Sequence, residues 1–305
     1  MNDPSLKDDA AERAKKLVKS DVETLWTEQN PTLLKELHLL TRDGKLNQDA
    51  RRKLKQIYHF TRLLLPVLEK LYAKKTEPRL VDVGSGKSYL GFLLYDLWVG
   101  PLRRGKISNI ESRPELVARA RGLAKETGFD RMEFIDASIR DADPGEVDLL
   151  VALHACDTAT DEAILLALEK NAAAIALVPC CQAEVSRLLK AVRPRNSGDD
   201  FQSEEENGAA ANSTGVWQLW RHPLHSREFG SHLTNVIRAL VLESLGYKVT
   251  VTELTGWEHS MKNELILAEK VDFPNPAASE WLGSLLSDFP VEPMLVRVLR
   301  EKGRL

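Results

Sequence analysis

Two glycines, three carboxylates, a histidine and three cysteines stand where apolar runs of this chain give way to polar turns. Gly84 and Gly86 follow the run Leu80-Val81-Asp82-Val83, and a helical pattern opens at Ser88. Lacking a Cβ, glycines let the chain turn tightly and let a ligand lie against backbone, while the N–H groups of a helix start face it. Glu111, after the next apolar run, can accept hydrogen bonds from both hydroxyls of a ribose; capping a helix before Arg113-Pro114 is its other use. After the third run, Asp136 and the amide of Ala137 stand where an adenine edge would lie, or Asp136 serves a turn. His154 and Asp157 follow the fourth run, where a histidine can take a proton and Asp157 can orient it or act as the base. Cys156 lies between them, and Cys180 and Cys181 follow the fifth run.

The glycine spacing discriminates among ligands. A phosphate-binding loop, G-x-x-x-x-G-K-S, would need its first glycine at Val81, although Gly86-Lys87-Ser88 supplies the tail. A dinucleotide turn, G-x-G-x-x-G, would need its third glycine at Tyr89, whose bulk argues against a pyrophosphate at the helix start. What remains is D-x-G-x-G followed by a helix. This stretch resembles motif I of class I methyltransferases, which implies S-adenosylmethionine as cofactor, held by Asp82, Gly84, Ser85, Gly86, Tyr89 and Leu90 together with Glu111, Asp136, Ala137 and His154.

These residues need a scaffold. From Pro78 onward apolar runs alternate with helical patterns, which predicts parallel strands near 80–83, 106–110, 132–135, 147–153 and 174–179 and helices near 88–98, 114–127 and 159–170. Ligands of such sheets lie at the carboxyl ends of the strands. A helix over 231–245, ended by Gly246, leads to strands at 247–254 and 264–268 joined by a loop over 255–263. The fold expected is α/β: the seven-stranded, Rossmann-like sheet of class I methyltransferases with a helical N-terminal subdomain. Boundaries follow at 1–75 for the helical subdomain, 76–271 for the cofactor-binding domain with an insertion at 183–231, and 272–305 for a helical tail ending in a helix over 294–300.

Before the sheet, helices are expected over 10–26, over 31–41 with Asp43-Gly44 ending it, and from Asn47 onward, with Pro66 bending or stopping the last. Residues 42–75 carry ten Lys and Arg against three acids, a local charge of +7. This is either a solvated face or a surface for RNA. Within the insertion, 193–214 is polar, and Trp217, Trp220, Arg221, His222, His225, Arg227 and His232 then bring aromatic and basic groups together. Of these, Trp220, His225 and Arg227, with Cys181, are candidates to bind a substrate; a packed loop is the other reading.

A second resemblance rests on Asp82-Val83-Gly84-Ser85-Gly86-Lys87, Leu153-His154-Ala155-Cys156 and Pro179-Cys180-Cys181. Together they are similar to methyltransferase-like proteins with D-x-G-S-G-K-G, L-H-x-C-G-D and P-C-C-Y-H motifs. Ala159-Thr160-Asp161 also matches the H-L-C-G-x-A-T-D motif of the CHHC-finger transfer-RNA 2′-O-methyltransferases. Ser88, Asp157 and Gln182 depart from these motifs, and no CHHC finger is present. The resemblance covers 78–182 and implies an S-adenosylmethionine-dependent methyltransferase acting on RNA, transfer or ribosomal, with a protein acceptor or a non-catalytic cofactor-binding module as alternatives. His154, Asp157 and Cys180 are the candidate catalytic residues.

The cysteines admit three roles. Doubly wound topology brings the ends of strands four and five together, and with them all three thiols, beside the expected cofactor. One thiolate could attack a pyrimidine ring, as in the RNA 5-methylcytosine enzymes that Pro179-Cys180 partly matches. The thiols could hold zinc with His154, but no C-x-x-C pair exists and adjacent cysteines point in different directions, so no metal is expected. Or they pack the wall of an acceptor pocket.

The 305 residues, 43% of them hydrophobic and 29% charged, suit a folded soluble protein. An odd cysteine count with two adjacent makes no disulfide framework and suits a reducing compartment. No apolar run approaches a membrane span, and the polar start is unlike a signal peptide, so a cytoplasmic protein without membrane contact is expected. The net charge of −3 excludes a uniformly basic surface but not a basic patch.

Overall fold

The computed structural model describes residues 26–41, 43–46, 48–153, 155–191, 216, 218–254, 264–271, 273 and 275–305. Strands β1 (Arg79–Val83), β2 (Lys106–Glu111), β3 (Met132–Asp136), β4 (Leu149–Leu153), β5 (Ala174–Val178), β6 (Tyr247–Glu253) and β7 (Glu264–Lys270) form one sheet in the order β3-β2-β1-β4-β5-β7-β6. β1 to β5 are parallel, and β7 runs antiparallel to β5 with Ala174 opposite Glu269 and Leu177 opposite Ile266. All five residues of β5 are buried, the run expected of a central strand covered on both faces. This is the seven-stranded mixed sheet of the class I methyltransferase fold that the alternation predicts.

The chain divides into two compact units. The first holds the described residues up to Ala155, Glu162–Pro179 and those of Thr250–Lys270; the second holds Cys156–Asp161 and the described residues of Cys180–Val249 and Val271–Leu305.

In the first unit, α1 (Pro31–Glu36) and α2 (Gln48–Lys74) share one buried cluster with the sheet and with α3 (Tyr89–Leu94): Leu33, Leu34, Leu54, Phe60, Leu64 and Leu68 join Leu80, Phe92 and Ile107. α1 is shorter than the 31–41 that periodicity suggests. His38 takes a left-handed conformation, φ 58°, and the amides of His38 and Leu39 turn back onto the carbonyls of Lys35 and Leu34, closing the helix with a non-glycine residue. Gly44, φ 72°, then turns the chain so that Leu40 bridges to Leu46. α2 neither stops nor restarts at Pro66. The proline lies on the exposed face, where water can replace the helical hydrogen bond it cannot make. The helix expected over 10–26 lies outside the described residues up to Trp26, which begins a 3₁₀ turn.

The helix expected near 88–98 is composite: α3 widens into a π turn over Tyr95–Val99 and ends in a short turn, Gly100–Leu102, at left-handed Arg103. α4 (Pro114–Thr127) follows β2 and stops at Gly128, φ 73°. α5 (Thr158–Glu169) follows β4.

The second unit packs α6 (Glu184–Ala191), α7 (Pro223–Ser244), α8 (Pro276–Asp288) and α9 (Met294–Glu301). α7 begins eight residues before the expected 231, because Pro223 supplies a ready-made first turn. Residues 192–215 and the expected loop over 255–263 lie outside the described residues. Among the described residues no helix is long and apolar enough to cross a membrane.

Candidate active site

At the end of β1 the turn has the geometry its glycines allow: Gly84 and Gly86 have φ of 62° and 59°. A Cβ on Gly84 would come no nearer than 4.0 Å to Ala155 Cβ, and one on Gly86 would meet Arg113 Nη2 at 3.8 Å. Conformation requires these glycines, and the bare backbone leaves a shallow cradle above them. Ser88, φ 55° and buried, closes the turn by donating its N–H to Ser85 O and its hydroxyl to Ser85 Oγ. Lys87 is exposed.

Asp82 supports this turn from beneath. It is 2% exposed, and burial, opposed by a hydrogen bond from the Gly91 amide and reinforced by the charge of Glu111, pushes its carboxyl up to about 7. The cofactor contact expected of Asp82 is therefore corrected to a supporting one, since the carboxyl faces the protein. Leu90 is likewise buried, in the core behind the turn. Tyr89, half-buried, donates its hydroxyl to Leu37 O at 3.0 Å, while Lys53 lies 5.9 Å from its ring centroid. The bulk that replaces a third glycine here ties the turn to the N-terminal helices. A Cβ on Gly91 would overlap Asn109 Oδ1, so this glycine sets how closely α3 approaches β2.

Glu111 ends β2 and is buried, with a carboxylate held on every side. Oε1 accepts from the Arg113 amide at 3.0 Å and from its Nε at 2.8 Å; Oε2 accepts from the Gly86 amide at 2.8 Å and from Arg113 Nη2 at 3.2 Å. Burial alone would raise its pKa, but these bonds outweigh burial and hold the carboxyl below its ordinary value. Four bonds use the roughly four lone-pair positions a carboxylate offers. A ribose diol can bind there only if the guanidinium, 58% exposed, swings away. Sequence reading treated Arg113 as part of a helix start and missed this role.

Asp136 pairs in register with Glu111 at the end of β3 and is exposed. The Ala137 amide, expected to be available to a base, instead donates to Glu111 O at 3.3 Å. His154 lies outside the described residues.

The second unit holds the thiols. Cys156 Sγ lies 3.1 Å from Cys180 Sγ, which lies 3.6 Å from Cys181 Sγ, and all three sulfurs fall within 4.8 Å of one another. The expectation that neighbouring cysteines diverge is corrected: β5 ends at Val178, so side chains at 180 and 181 no longer alternate across a sheet. Hydrogen bonding to Cys181 and burial push the Cys156 thiol up, and burial does the same to Cys180.

Asp157, a candidate base, is committed elsewhere. At φ 50° it donates its amide to Cys181 O at 2.6 Å, and its Oδ1 accepts from the Ala183 and Glu184 amides at 2.8 and 3.1 Å, capping α6. Its Oδ2 pairs with Arg187 at 3.2 Å. Beside it, Asp161 forms a two-pronged ion pair with Arg238 at 2.7 and 2.9 Å, with side chains 4% and 1% exposed. Arg238 also donates to Asp157 O and to Asn235 Oδ1. The signal in the sequence was a charge one helical turn from Thr234 and Val241, on the buried face.

The aromatic-basic segment divides. Trp220 is 4% exposed, stacked on Phe229 with centroids 5.2 Å apart and edge-on to Phe289 at 5.8 Å, so its expected substrate role is corrected to core packing. His225 and Arg227 are exposed on the first turns of α7, and Arg227 pairs with Glu228. Trp217 lies outside the described residues.

Residues 52–188 match the model of a family described as a methyltransferase domain. Curated relatives named "Glutathione S-transferase C-terminal domain-containing protein" are similar to the chain. The one from Xenopus laevis is 29% identical over 237 residues, 75% of this chain and 36% of that protein. The one from Homo sapiens is 28% identical over 235 residues, 74% and 34% of the two. The chain thus spans about a third of the length of the curated relatives it matches. Among solved structures, magnesium protoporphyrin IX methyltransferase from Synechocystis, with bound SAH, aligns at 14% identity and TM-score 0.41, over 78% of this chain and 94% of its own. The SAH-bound Podospora anserina methyltransferase PaMTH1 aligns at 15% and 0.42, over 89% and 98%.

Proposed function

We propose that this chain binds S-adenosylmethionine and transfers its methyl group, and that the acceptor is RNA. The observation that carries the first part is the pairing of two left-handed glycines after β1 with buried Glu111 at the end of β2, inside the span that matches the methyltransferase-domain family. The residues present fit the cofactor. Gly84 and Gly86 offer bare backbone, Glu111 two acceptors in register with Asp136, and no third glycine or Walker-type loop serves a pyrophosphate.

The cofactor brings a sulfonium-activated methyl group that a nucleophile can displace with loss of a neutral thioether. The protein's part is to position and to deprotonate. The turn at 84–86 and Glu111 orient the nucleoside end, and Asp82 holds the turn from below. The acceptor's proton passes to a base or to water, and the sequence offers His154 for that step. Asp157 is occupied as a cap, so it acts on loop geometry.

The exposed Arg51, Arg52, Lys53 and Lys55 on α2 favour a phosphate-bearing acceptor, consistent with the motif resemblance. Calorimetry with S-adenosylmethionine and its demethylated product tests the first part; no binding of either would sink it. For the second, extract labelling with tritiated donor followed by nuclease or protease should give label lost to nuclease. Label lost only to protease would indicate a protein acceptor, and binding without turnover a regulatory module.

A further inference from the structure

We infer that Cys156, Cys180 and Cys181 form a thiolate site for a thiophilic d¹⁰ cation, zinc first among them. This site stands independently of the methyl-transfer reading, because every residue in it belongs to the second unit.

Geometry carries the inference. With zinc–sulfur bonds of about 2.3 Å, the sulfurs of a tetrahedral site lie about 3.8 Å apart. Here two of the separations are 3.1 and 3.6 Å, with all three sulfurs inside 4.8 Å, so one ion can reach each thiol with small rotations. None of the three is in a disulfide.

The backbone that presents them is clasped from both sides. The Asp157 amide donates to Cys181 O, the Asp157 carboxylate caps α6 just beyond Cys181, and buried Arg238 holds both Asp157 O and Asp161. Such anchoring reduces the conformational cost of closing three ligands on one ion. Cys156 and Cys181 are exposed, so an ion has a way in.

Charge agrees with this. Three sulfurs this close cannot all ionise without a counter-charge. A soft divalent cation would supply the counter-charge. On binding, three S–H protons leave to solvent as three metal–sulfur bonds form, and the fourth tetrahedral position is left for an exchangeable ligand.

The test uses the whole chain, reduced with a phosphine, loaded with zinc and freed of excess by gel filtration. We expect one zinc per chain and a zinc-edge X-ray absorption spectrum showing three sulfurs at about 2.3 Å. In competition with a chromophoric chelator, Cys156→Ser, Cys180→Ser and Cys181→Ser should each lose more than the roughly 100-fold that removal of an outer hydrogen-bond partner costs a metal site. Failure of the wild-type chain to retain zinc, a shell of nitrogen and oxygen only, or unchanged retention by the triple serine variant would each overturn the site. The wild-type spectrum decides the matter even where a variant fails to fold.

Discussion

Arg113 occupies the carboxylate that a ribose would need, and this makes the cofactor reading sharply testable at single residues. Glu111→Ala should weaken S-adenosylmethionine binding by about 1–3 kcal/mol, the cost of leaving polar groups unpaired. Arg113→Ala should not weaken it, because the guanidinium competes with the ribose for two of the four acceptor positions, while the backbone amide of residue 113 keeps its bond. Calorimetry on both variants separates the cases: if Arg113→Ala binds as poorly as Glu111→Ala, the arginine belongs to the binding site and does not merely occupy it. Motif reading reached Gly84, Gly86 and Glu111 because their chemistry is local to a strand end. It missed Arg113, whose importance lies in where its guanidinium folds back.

Between elements, two close approaches decide stability. Gly230 on α7 faces α6, where an added Cβ would lie 2.8 Å from the backbone N and Cα of Ser186. Backbone cannot step aside as a flexible side chain can, so Gly230→Ala should cost about 1–3 kcal/mol in chemical denaturation, as overpacking does. Arg238 joins α7 to the start of α5 through the buried pair with Asp161. Arg238→Met would strand a buried carboxylate and should cost about 3–5 kcal/mol, with much of that recovered when Asp161→Asn is added. A double variant no more stable than Arg238→Met alone would show that the arginine acts by packing.

Across the whole molecule, Asp82 sets a pH dependence. Its folded pKa of about 7 lies above the ordinary 3.8, so folding favours the protonated form. The stability it contributes is fully present below about pH 4 and is lost as pH rises through 7, on the order of 4 kcal/mol for a shift of this size. Urea denaturation from pH 4 to 8 should therefore show a steeper fall for the wild type than for Asp82→Asn, whose amide oxygen can still accept from Gly91. Parallel curves would place the ionised form in the folded state. The proposed RNA contact is also a property of the assembled surface. Reversing Arg51, Arg52 and Lys55 to Glu should weaken RNA binding and flatten its dependence on salt, with cofactor affinity unchanged. Loss of cofactor binding in that variant would point instead to damage near Tyr89, which Lys53 adjoins.

The succession of strands and helices along the chain and the glycine turn were legible in the sequence, because apolar periodicity and backbone freedom are properties of short stretches. The run at 174–178 could hardly be anything but a central strand. Other features belong to the tertiary structure alone. His38 ends a helix without glycine, Pro66 sits inside one, and Trp220 is buried by Phe229 and Phe289 rather than offered to a base. Each outcome depends on which face meets solvent, and a one-dimensional pattern leaves that open. The thiols show it most plainly. Their spacing of 24 residues and one residue names no metal motif, yet in the second unit, where Asp157 clasps Cys181, the three sulfurs come together. Ligand convergence is a matter of distance in space, which sequence separation does not encode.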